Sequence, residues 1–278
     1  MTEVIIGNQE SFEKAKEIII KAGAKKLHVI ADFDRTLTKA FHKGEKASSI
    51  ISHLRSGKYL TEDYAPRAHA LFDEFHPIEI DSKIPFEEKK AKMQEWWEKH
   101  FELLIEVGLD KDTIKQATRD MIKENALIFR DGVEDFLGFL KKRKIPLIIM
   151  SASVGDLIME FMNQKGVYYD NVQVISNLLE WDKTGKATGI KDIIHVFNKT
   201  EVEVGFSEVK GRTNVLLLGD SLGDVGMIEG FPYKNLIKIG FLNEGVEQNL
   251  ELFKQNYDVV LLGDGDFSFI NDLVKEIK

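Results

Sequence analysis

The sequence predicts an α/β fold in which a doubly wound parallel sheet is interrupted by an inserted helical domain. Short apolar runs end in a polar residue at Leu27–Ile30, Pro146–Met150 and Val215–Leu218, as expected for strands buried on both faces. Segments of helical periodicity, 132–142 and 156–165, lie between them, and strand, helix, strand at this spacing favours a parallel sheet. No comparable strand occurs between residues 41 and 125.

Further elements follow in order along the chain. Three more apolar runs extend the predicted sheet, the first more weakly than the others: Val172–Ile175, Leu236–Phe241 and Asp258–Leu262. Within the inserted stretch one helix begins at Pro85, another spans Lys111–Lys123 with Asp110 as its cap, and Pro66 kinks or restarts a helix over 61–75. We therefore predict a core of residues 1–40 and 126–278 and an inserted helical domain of residues 41–125.

Composition narrows the class of protein. The chain has 278 residues, 43% hydrophobic and 30% charged, which is typical of a globular protein. A formal charge of −8 is the wrong sign for holding nucleic acid or an anionic membrane surface. The absence of Cys excludes disulfides, thiolate metal sites and cysteine nucleophiles. Acidic residues near the N-terminus and the lack of a long apolar run predict a soluble, cytoplasmic protein without a signal peptide.

Polar residues follow three of the predicted strands. Asp32, Ser151 and Asp220 come directly after apolar runs, and Asp34 and Asp224 lie in the turns beyond them. Each alone could cap a helix, but the carboxyl ends of parallel strands share one edge of a sheet, where ligands bind. Carboxylates brought together there repel one another unless they are protonated or bridged by a cation. The cluster therefore predicts Mg²⁺ and a phosphorylated substrate.

The same residues resemble a known superfamily. Residues 32–38, Asp-Phe-Asp-Arg-Thr-Leu-Thr, resemble the DxDxT signature of the haloacid dehalogenase superfamily, with Ser151 as its second motif, a downstream lysine as its third and Gly219–Asp224 as its fourth. His195–Lys199 and Pro77–Asp81 narrow the resemblance to the cytosolic 5′-nucleotidase III, or pyrimidine 5′-nucleotidase, family. The similarity runs from about Ile30 to near the C-terminus.

The resemblance implies a role for each residue. Asp32 would be the nucleophile that forms an aspartyl phosphate, and Asp34 the general acid and base. The phosphoryl oxygens would be held by Lys199, Ser151 and the Ala152 amide. Mg²⁺ would be bound by the Asp32 carboxylate, the Asp34 carbonyl and Asp220, with Asp224 as ligand or support.

The inserted domain corresponds to the cap that this superfamily places over its active site, where it excludes water and contacts the leaving group. The resemblance implies that Glu79 contacts the nucleobase; otherwise it is a solvated loop acid. Trp96 and Trp97 either stack on the base or belong to the helical core. His100 stands where the family often has a small polar residue that contacts the base, and we expect it at the substrate.

Parts of the sequence also match three other functions. Gly219–Gly223 matches a serine nucleophile elbow, but all seven histidines precede Ser221, whereas that triad needs a later one. A calcium loop starting at Asp32 fails because Leu37 and Lys43 occupy its glycine and glutamate positions. A non-catalytic binding protein on the same fold stays open, since the pattern does not exclude it, although both aspartates, Ser151, Lys199 and Asp220 would then serve no purpose.

The sequence thus predicts a Mg²⁺-dependent 5′-nucleotidase that hydrolyses nucleoside 5′-monophosphates, CMP and UMP in particular. A phosphatase of the same superfamily acting on a phosphoamino acid or a sugar phosphate is the alternative. The expected partner is the small-molecule substrate, without nucleic acid or membrane, and the oligomeric state is left open.

Overall fold

The protein is described here from a computed structural model covering residues 2–55, 59–81, 83–199, 207 and 209–278. Its strands are β1 (Val4–Ile6), β2 (Leu27–Ala31), β3 (Phe41–His42), β4 (Glu45–Lys46), β5 (Leu147–Val154), β6 (Val172–Asn177), β7 (Leu179–Trp181), β8 (Ala187–Ile190), β9 (Asn214–Gly219), β10 (Asn235–Leu242) and β11 (Val259–Leu262). Its α-helices are α1 (Gln9–Ala22), α2 (Ile50–Arg55), α3 (Tyr64–Ile80), α4 (Phe86–Glu106), α5 (Lys111–Lys123), α6 (Val133–Arg143), α7 (Gly155–Gln164), α8 (Val246–Asn256) and α9 (Ser268–Lys275). A 3₁₀-helix spans Leu222–Gly230.

Within those ranges the central sheet has seven strands in the order β1-β11-β10-β9-β2-β5-β6. All neighbours run parallel except β1, which pairs antiparallel with β11 at the edge. Every residue of β2 and of β9 is buried, as expected for central strands of a sheet that is covered on both faces. The predicted α/β class with a parallel-dominated sheet is confirmed.

Alternate residues of the strands belong to two apolar layers, one on each face of the sheet. Val29 and Ala31 of β2 belong to the larger layer, with α6, α7 and α9, whereas Ile30 belongs to the smaller one, with α8 and the 3₁₀-helix. This alternation follows from the pleat of the strand, which directs successive side chains to opposite faces. Helices on both faces make the sheet doubly wound.

The inserted segment between β2 and β5 holds α2, α3, α4 and α5, as the sequence predicts, but it opens with a β3–β4 hairpin that was not expected. Asp110 caps α5 through a bond from the Thr113 amide to its carboxylate at 2.7 Å. Pro66 lies in the first turn of α3, where its missing N–H leaves no bond unmade.

α3 and α4 pack against each other, whereas α5 packs on α7 of the core. Buried side chains of α4 and α5 belong to the same apolar cluster as the strands of the sheet. The cap boundaries at residues 41 and 125 stay a prediction.

Other elements differ from the sequence-based expectation. β1, α1 and the β7–β8 hairpin were not predicted. The strand expected to end at Met150 continues to Val154, with an irregular register against β6 between those two residues. Ser151 therefore lies inside β5 rather than after it, which corrects the prediction. None of the helices in the described ranges combines the length and apolar character needed to cross a bilayer.

His28 is a buried titratable residue on the smaller apolar layer. Its ring lies 5.6 Å from the ring of Phe231, and among the described residues neither of its nitrogens has a hydrogen-bond partner. Burial, with a smaller effect from the Arg212 guanidinium, lowers the pKa of His28 from 6.5 to about 4. The folded state therefore resists protonation that the unfolded chain accepts.

We predict that His28 makes the protein less stable in mild acid. Between pH 6.5 and 4 the unfolded chain binds more protons than the folded one, so the free energy of unfolding falls as pH falls. From this site alone we expect a loss of about 2 kcal/mol between pH 7 and pH 5. Urea titrations at both pH values should show a smaller loss in His28→Phe. The same substitution at the exposed His69 should leave the loss unchanged, and an equal loss in wild type and His28→Phe would contradict the prediction.

Candidate active site

The carboxyl end of β2 is the centre of the site. Ala31 pairs with Leu218 of β9 on one side and Ile149 of β5 on the other, and the Asp32 amide donates to the Leu218 carbonyl at 3.0 Å. Asp32 thus leaves the sheet between the strand that ends before Asp220 and the strand that contains Ser151. The convergence predicted from parallel topology is present for these three residues.

Lys199 provides a buried cation at this edge. Its Nζ donates to Asp32 Oδ1 at 2.6 Å and to Asp224 Oδ1 at 2.8 Å, and only 5% of the side chain is exposed. An ion pair this deeply buried needs several partners to offset the desolvation of both charges. Lys199 therefore bridges two carboxylates that would otherwise repel each other.

Asp224 has both carboxylate oxygens engaged. Oδ1 accepts from Lys199, and Oδ2 accepts from the Ser221 hydroxyl at 2.8 Å and from the amides of Ser221 and Asp220 at 3.0 and 3.2 Å. Together with Ser221 it forms the capping box of the 3₁₀-helix. These contacts orient Asp224 and fix the loop that carries Asp220.

Three carboxylates could hold a metal ion. One oxygen from each of Asp32, Asp220 and Asp224 lies within 4.8 Å of the others. Carboxylate oxygens are the ligands that Mg²⁺ prefers, so the donor set fits the ion that the sequence predicts.

Burial raises the pKa of two of these acids, Asp32 and Asp220. It raises the pKa of Asp32 to about 7, although the Lys199 ammonium opposes the rise. Burial, reinforced by Asp32 and Asp224, raises the pKa of Asp220 well above its usual range. For Lys199 burial acts to lower the pKa, but Asp224 and Asp32 outweigh it and raise the pKa above its usual value. Negative charge on the carboxylates is thus unfavourable here unless a further cation binds.

Asp34 has a different environment from Asp32. Its Oδ1 accepts from the Ile50 amide at 2.9 Å, at the start of α2, and burial raises its pKa to about 6, partly opposed by that amide and by Arg35. The Asp32 carboxylate is held by the charged Lys199, whereas the Asp34 carboxylate is held by a neutral backbone amide. Two carboxyl groups in unlike environments suit a nucleophile and a general acid.

Ser151 and Ala152 lie in the irregular part of β5. The Ser151 hydroxyl accepts from the Ser153 amide at 3.1 Å, and the Ala152 carbonyl accepts from the Asn177 side chain at 2.8 Å. These bonds fix the irregular end of β5. The contacts of Ser151 and Ala152 with a phosphoryl group stay a prediction.

The predicted base-contacting residues lie on the two helices α3 and α4. Glu79 Oε2 lies 3.0 Å from His76 Nδ1, with a quarter of the Glu79 side chain exposed. Trp96 stacks on Phe75, with ring centroids 6.1 Å apart and planes inclined by 8°. Trp96 therefore makes the contacts expected of a residue in the helical core. It is also only half-buried, as stacking on a nucleobase would require.

His100 lies deeper than expected for a residue at the substrate. Only 3% of it is exposed, its Nε2 lies 3.1 Å from the Tyr64 hydroxyl, and its ring stacks on Trp97 at 5.8 Å. Burial, with a smaller effect from Arg55, lowers its pKa to about 3, so the ring is neutral at physiological pH. Contact with a ligand stays a prediction for this residue.

Sequence reasoning missed a contact between the inserted segment and the loop that carries Lys199. Phe86, the first residue of α4, lies edge-on to Phe197 with centroids 5.6 Å apart. The Lys89 ammonium lies 5.7 Å from the Phe197 ring and donates to the Glu79 carbonyl at 2.9 Å. Nothing in the spacing of these residues signals the contact, because it joins parts of the chain more than 100 residues apart.

Comparison with known proteins identifies the family. The sequence model of the family described as pyrimidine 5′-nucleotidase (UMPH-1) matches residues 35–278. The chain belongs to the pyrimidine 5′-nucleotidase (UMPH-1) family. This confirms the resemblance seen in the sequence, including its place in the haloacid dehalogenase superfamily.

Relatives of this family member are nucleotidases. This chain is 39% identical over 263 residues to a Xenopus laevis protein named 7-methylguanosine phosphate-specific 5′-nucleotidase A. The alignment covers 92% of this chain and 89% of that one. The human protein named 7-methylguanosine phosphate-specific 5′-nucleotidase is 36% identical, with 92% and 86% covered. A crystal structure of cytosolic 5′-nucleotidase IIIB bound to cytidine is similar with a TM-score of 0.89 and 28% identity, covering 99% of this chain and 93% of that chain.

These similarities make the UMPH-1 family member a phosphoric monoester hydrolase of the 5′-nucleotidase class. The predicted enzyme class is confirmed, and the alternative of a phosphoamino acid or sugar phosphate as substrate gains no support from these relatives.

We predict that Lys199→Met impairs this nucleotidase in two ways. Without the ammonium, Asp32 and Asp224 are buried with no counter-charge, so the free energy of unfolding in EDTA should fall by about 3 kcal/mol. Loss of a positive charge at the reacting phosphate should also lower kcat by roughly 100-fold or more. Urea unfolding and a phosphate-release assay measure the two effects. The exposed Lys191→Met is the matched control, and a Lys199→Met protein as stable and active as this control would contradict the prediction.

Proposed function

We propose that this protein is a Mg²⁺-dependent cytoplasmic 5′-nucleotidase that hydrolyses nucleoside 5′-monophosphates through an aspartyl phosphate on Asp32. The observation that carries the proposal is the Lys199 bridge between Asp32 and Asp224 beside Asp220 at one edge of the sheet. A cytoplasmic location agrees with the lack of Cys and with the name of the cytosolic structural relative.

The metal would be held by the Asp32 carboxylate, Asp220 and the Asp34 carbonyl, with Asp224 as ligand or support. When bound, Mg²⁺ would offset the charge that keeps an anionic nucleophile away from an anionic phosphate. The raised pKa values of Asp32 and Asp220 support this assignment, since a cation among them favours their ionised forms.

The reaction follows from the residues around Asp32. A carboxylate oxygen of Asp32 forms a bond to phosphorus while the bond from phosphorus to the 5′-oxygen breaks, and Asp34 gives that oxygen its proton. Water then attacks the phosphoryl group, Asp34 takes a proton from the water, and the bond between Asp32 and phosphorus breaks to release phosphate. Lys199, Ser151 and the Ala152 amide hold the phosphoryl oxygens, and Lys199 also favours the ionised form of Asp32.

A pyrimidine nucleoside is the first candidate leaving group. An ionised carboxylate only accepts hydrogen bonds, and cytosine offers its N4 amino group as a donor. Glu79 is partly exposed on α3 and contacts His76, whose ring stacks on Phe72. The cytidine bound to the structural relative agrees with this candidate.

A nucleoside with a 7-methylguanine base, 7-methylguanosine, is the second candidate. Methylation at N7 gives this base a positive charge, which an aromatic face and a carboxylate both attract. The Phe72 ring stacks on His76 at 4.6 Å and lies edge-on to Trp96 at 5.9 Å, with Glu79 bonded to the same His76. The names of the Xenopus and human relatives favour this substrate.

We predict that Asp32→Asn abolishes turnover while the fold persists, because an amide cannot act as the anionic nucleophile. The rate should fall by several orders of magnitude. Acid-quenched wild-type protein incubated with substrate should carry a phosphoryl group on Asp32 by mass spectrometry, and the variant should not. Asp170→Asn, on the surface, should behave as wild type. A folded Asp32→Asn protein with more than a few per cent of wild-type activity would exclude this mechanism.

We predict that Glu79→Gln selectively weakens hydrolysis of substrates whose base donates to a carboxylate. For CMP and 7-methylguanosine monophosphate, kcat/KM should fall by an amount equivalent to about 1–3 kcal/mol. For p-nitrophenyl phosphate, which has no base, it should hardly change. In the wild type, a higher kcat/KM for 7-methylguanosine monophosphate than for GMP would favour the second candidate, since the two differ in one methyl group and its charge.

The control for this series is Glu74→Gln, an exposed acid on the same helix. An equal fall for all substrates in Glu79→Gln would assign Glu79 to the stability of the helix pair. No fall for any of them would make it a solvated acid. Wild-type protein without activity on any nucleoside monophosphate would refute the proposed function.

A further inference from the structure

Arg130 is a buried cation that the proposed chemistry does not use. It precedes α6, and only 1% of its side chain is exposed. Burial lowers its pKa to about 10, so it stays charged at physiological pH. Its guanidinium donates to oxygens of three separate segments: the carbonyls of Arg35 and Thr36, the Asn243 side chain, and the Asp264 carboxylate with the Gly265 carbonyl.

The guanidinium determines how the Asn243 amide is oriented. Arginine has only donors, so the atom that faces Arg130 must be the Asn243 oxygen, at 2.6 Å. The Asn243 nitrogen then points the other way. It donates to the Arg35 carbonyl at 3.2 Å and to Asp220 Oδ2 at 3.4 Å.

The Arg35 carbonyl belongs to the turn that follows Asp34. Arg35 has φ 62°, in the left-handed region that a residue with a Cβ occupies at a cost of about 1 kcal/mol. The turn is held from both ends, because the Arg35 amide donates to Thr38 Oγ1 at 2.8 Å and its carbonyl accepts from Arg130 and Asn243. This conformation fixes the Asp34 backbone between Asp32 and the turn.

Asn243 is therefore the residue that joins two parts of the proposed metal site. Its nitrogen contacts the turn after Asp34 on one side and the Asp220 carboxylate on the other. Arg130 holds it there, and the Asp264 carboxylate, 3.0 Å from the guanidinium, holds Arg130. Groups that orient the ligands of a metal affect its affinity without touching it.

We propose that Asn243, oriented by Arg130, is a positioning residue for the divalent cation: it sets the orientation of the Asp220 carboxylate relative to the Asp34 turn. The inference rests on the metal site of the proposed function. Removing the Asn243 amide frees Asp220 to rotate and removes one of two side-chain donors to the strained turn.

The test measures Mn²⁺ binding directly, by the electron paramagnetic resonance signal of the free ion, in wild type, Asn243→Ala and Asn249→Ala. Asn249 is an exposed asparagine on α8, six positions further along the chain, so it receives the same substitution without a contact to Asp220. We expect the Kd for Mn²⁺ to rise about tenfold in Asn243→Ala and to stay at the wild-type value in Asn249→Ala. At saturating Mn²⁺ the KM for CMP should be unchanged in Asn243→Ala.

Thermal unfolding separates positioning from stability. Asn243→Ser, whose hydroxyl is too short to reach Asp220, should give the same result and replaces Asn243→Ala if that variant does not fold. A lower Tm with wild-type Mn²⁺ affinity would overturn the inference, as would equal Kd values in all three proteins.

Asp220→Asn tests the metal site itself. If wild type binds Mn²⁺ more tightly than Asp220→Asn does, and Asn243→Ala binds it as tightly as wild type, the role of Asn243 is overturned. The metal assignment of the proposed function then still stands. Wild type that binds no Mn²⁺, or no better than Asp220→Asn, overturns the metal assignment of the proposed function and the inference with it.

Discussion

Mutual repulsion of carboxylates at one edge of the sheet is the constraint on which the rest of the site depends. The topology brings Asp32, Asp220 and Asp224 within reach of a single ion, and burial makes their charges more unfavourable. Lys199 offsets part of this charge and is itself stabilised by it. The hydrogen bonds that Asp224 accepts from the next loop offset another part. The remaining negative charge is what would attract the cation of the proposed function and a phosphate bound to it.

Much of this arrangement could be predicted from sequence, because it follows from short-range pattern and from topology. The apolar runs that lead to Asp32 and Asp220 can be recognised in the sequence alone. Parallel strands then bring their carboxyl ends to one edge of the sheet. The sequence predicts that Ser151 follows its strand, because the apolar run stops at Met150. In the structure, pairing with β6 continues the strand through polar residues. Such pairing is a long-range property that a local pattern does not contain.

Side-chain networks were the least predictable part. Lys199 could be selected only through its family motif, since a lysine in a loop has no signal of its own. His100 is buried because Tyr64 and Trp97 happen to face it from α3 and α4. Arg130 and Asn243 gave no signal either, since their partners come from three distant segments and the contacts depend on rotamers. The chemistry was therefore more predictable than the structure that supports it.

The residues proposed to contact the base and those proposed to contact the phosphate come from different parts of the chain. Asp32 and Asp34 follow β2, Ser151 lies within β5 and Asp220 follows β9, whereas Glu79 and Trp96 lie on α3 and α4 between β2 and β5. The Phe86–Phe197 contact and Lys89 connect the two sets. In the proposed function, residues that contact the base would therefore be free to vary without altering the groups that act on phosphate, while a physical contact between the two sets is kept.

The strand order also has a consequence for how the chain folds. β2 is synthesised before both of its neighbours in the sheet, because β5 begins at residue 147 and β9 begins at residue 214. Strand pairs of such wide sequence separation require the closure of long loops, which slows folding. The contact of Asp32 with Lys199 and its backbone bond to Leu218 therefore cannot both form until residue 218 has been synthesised.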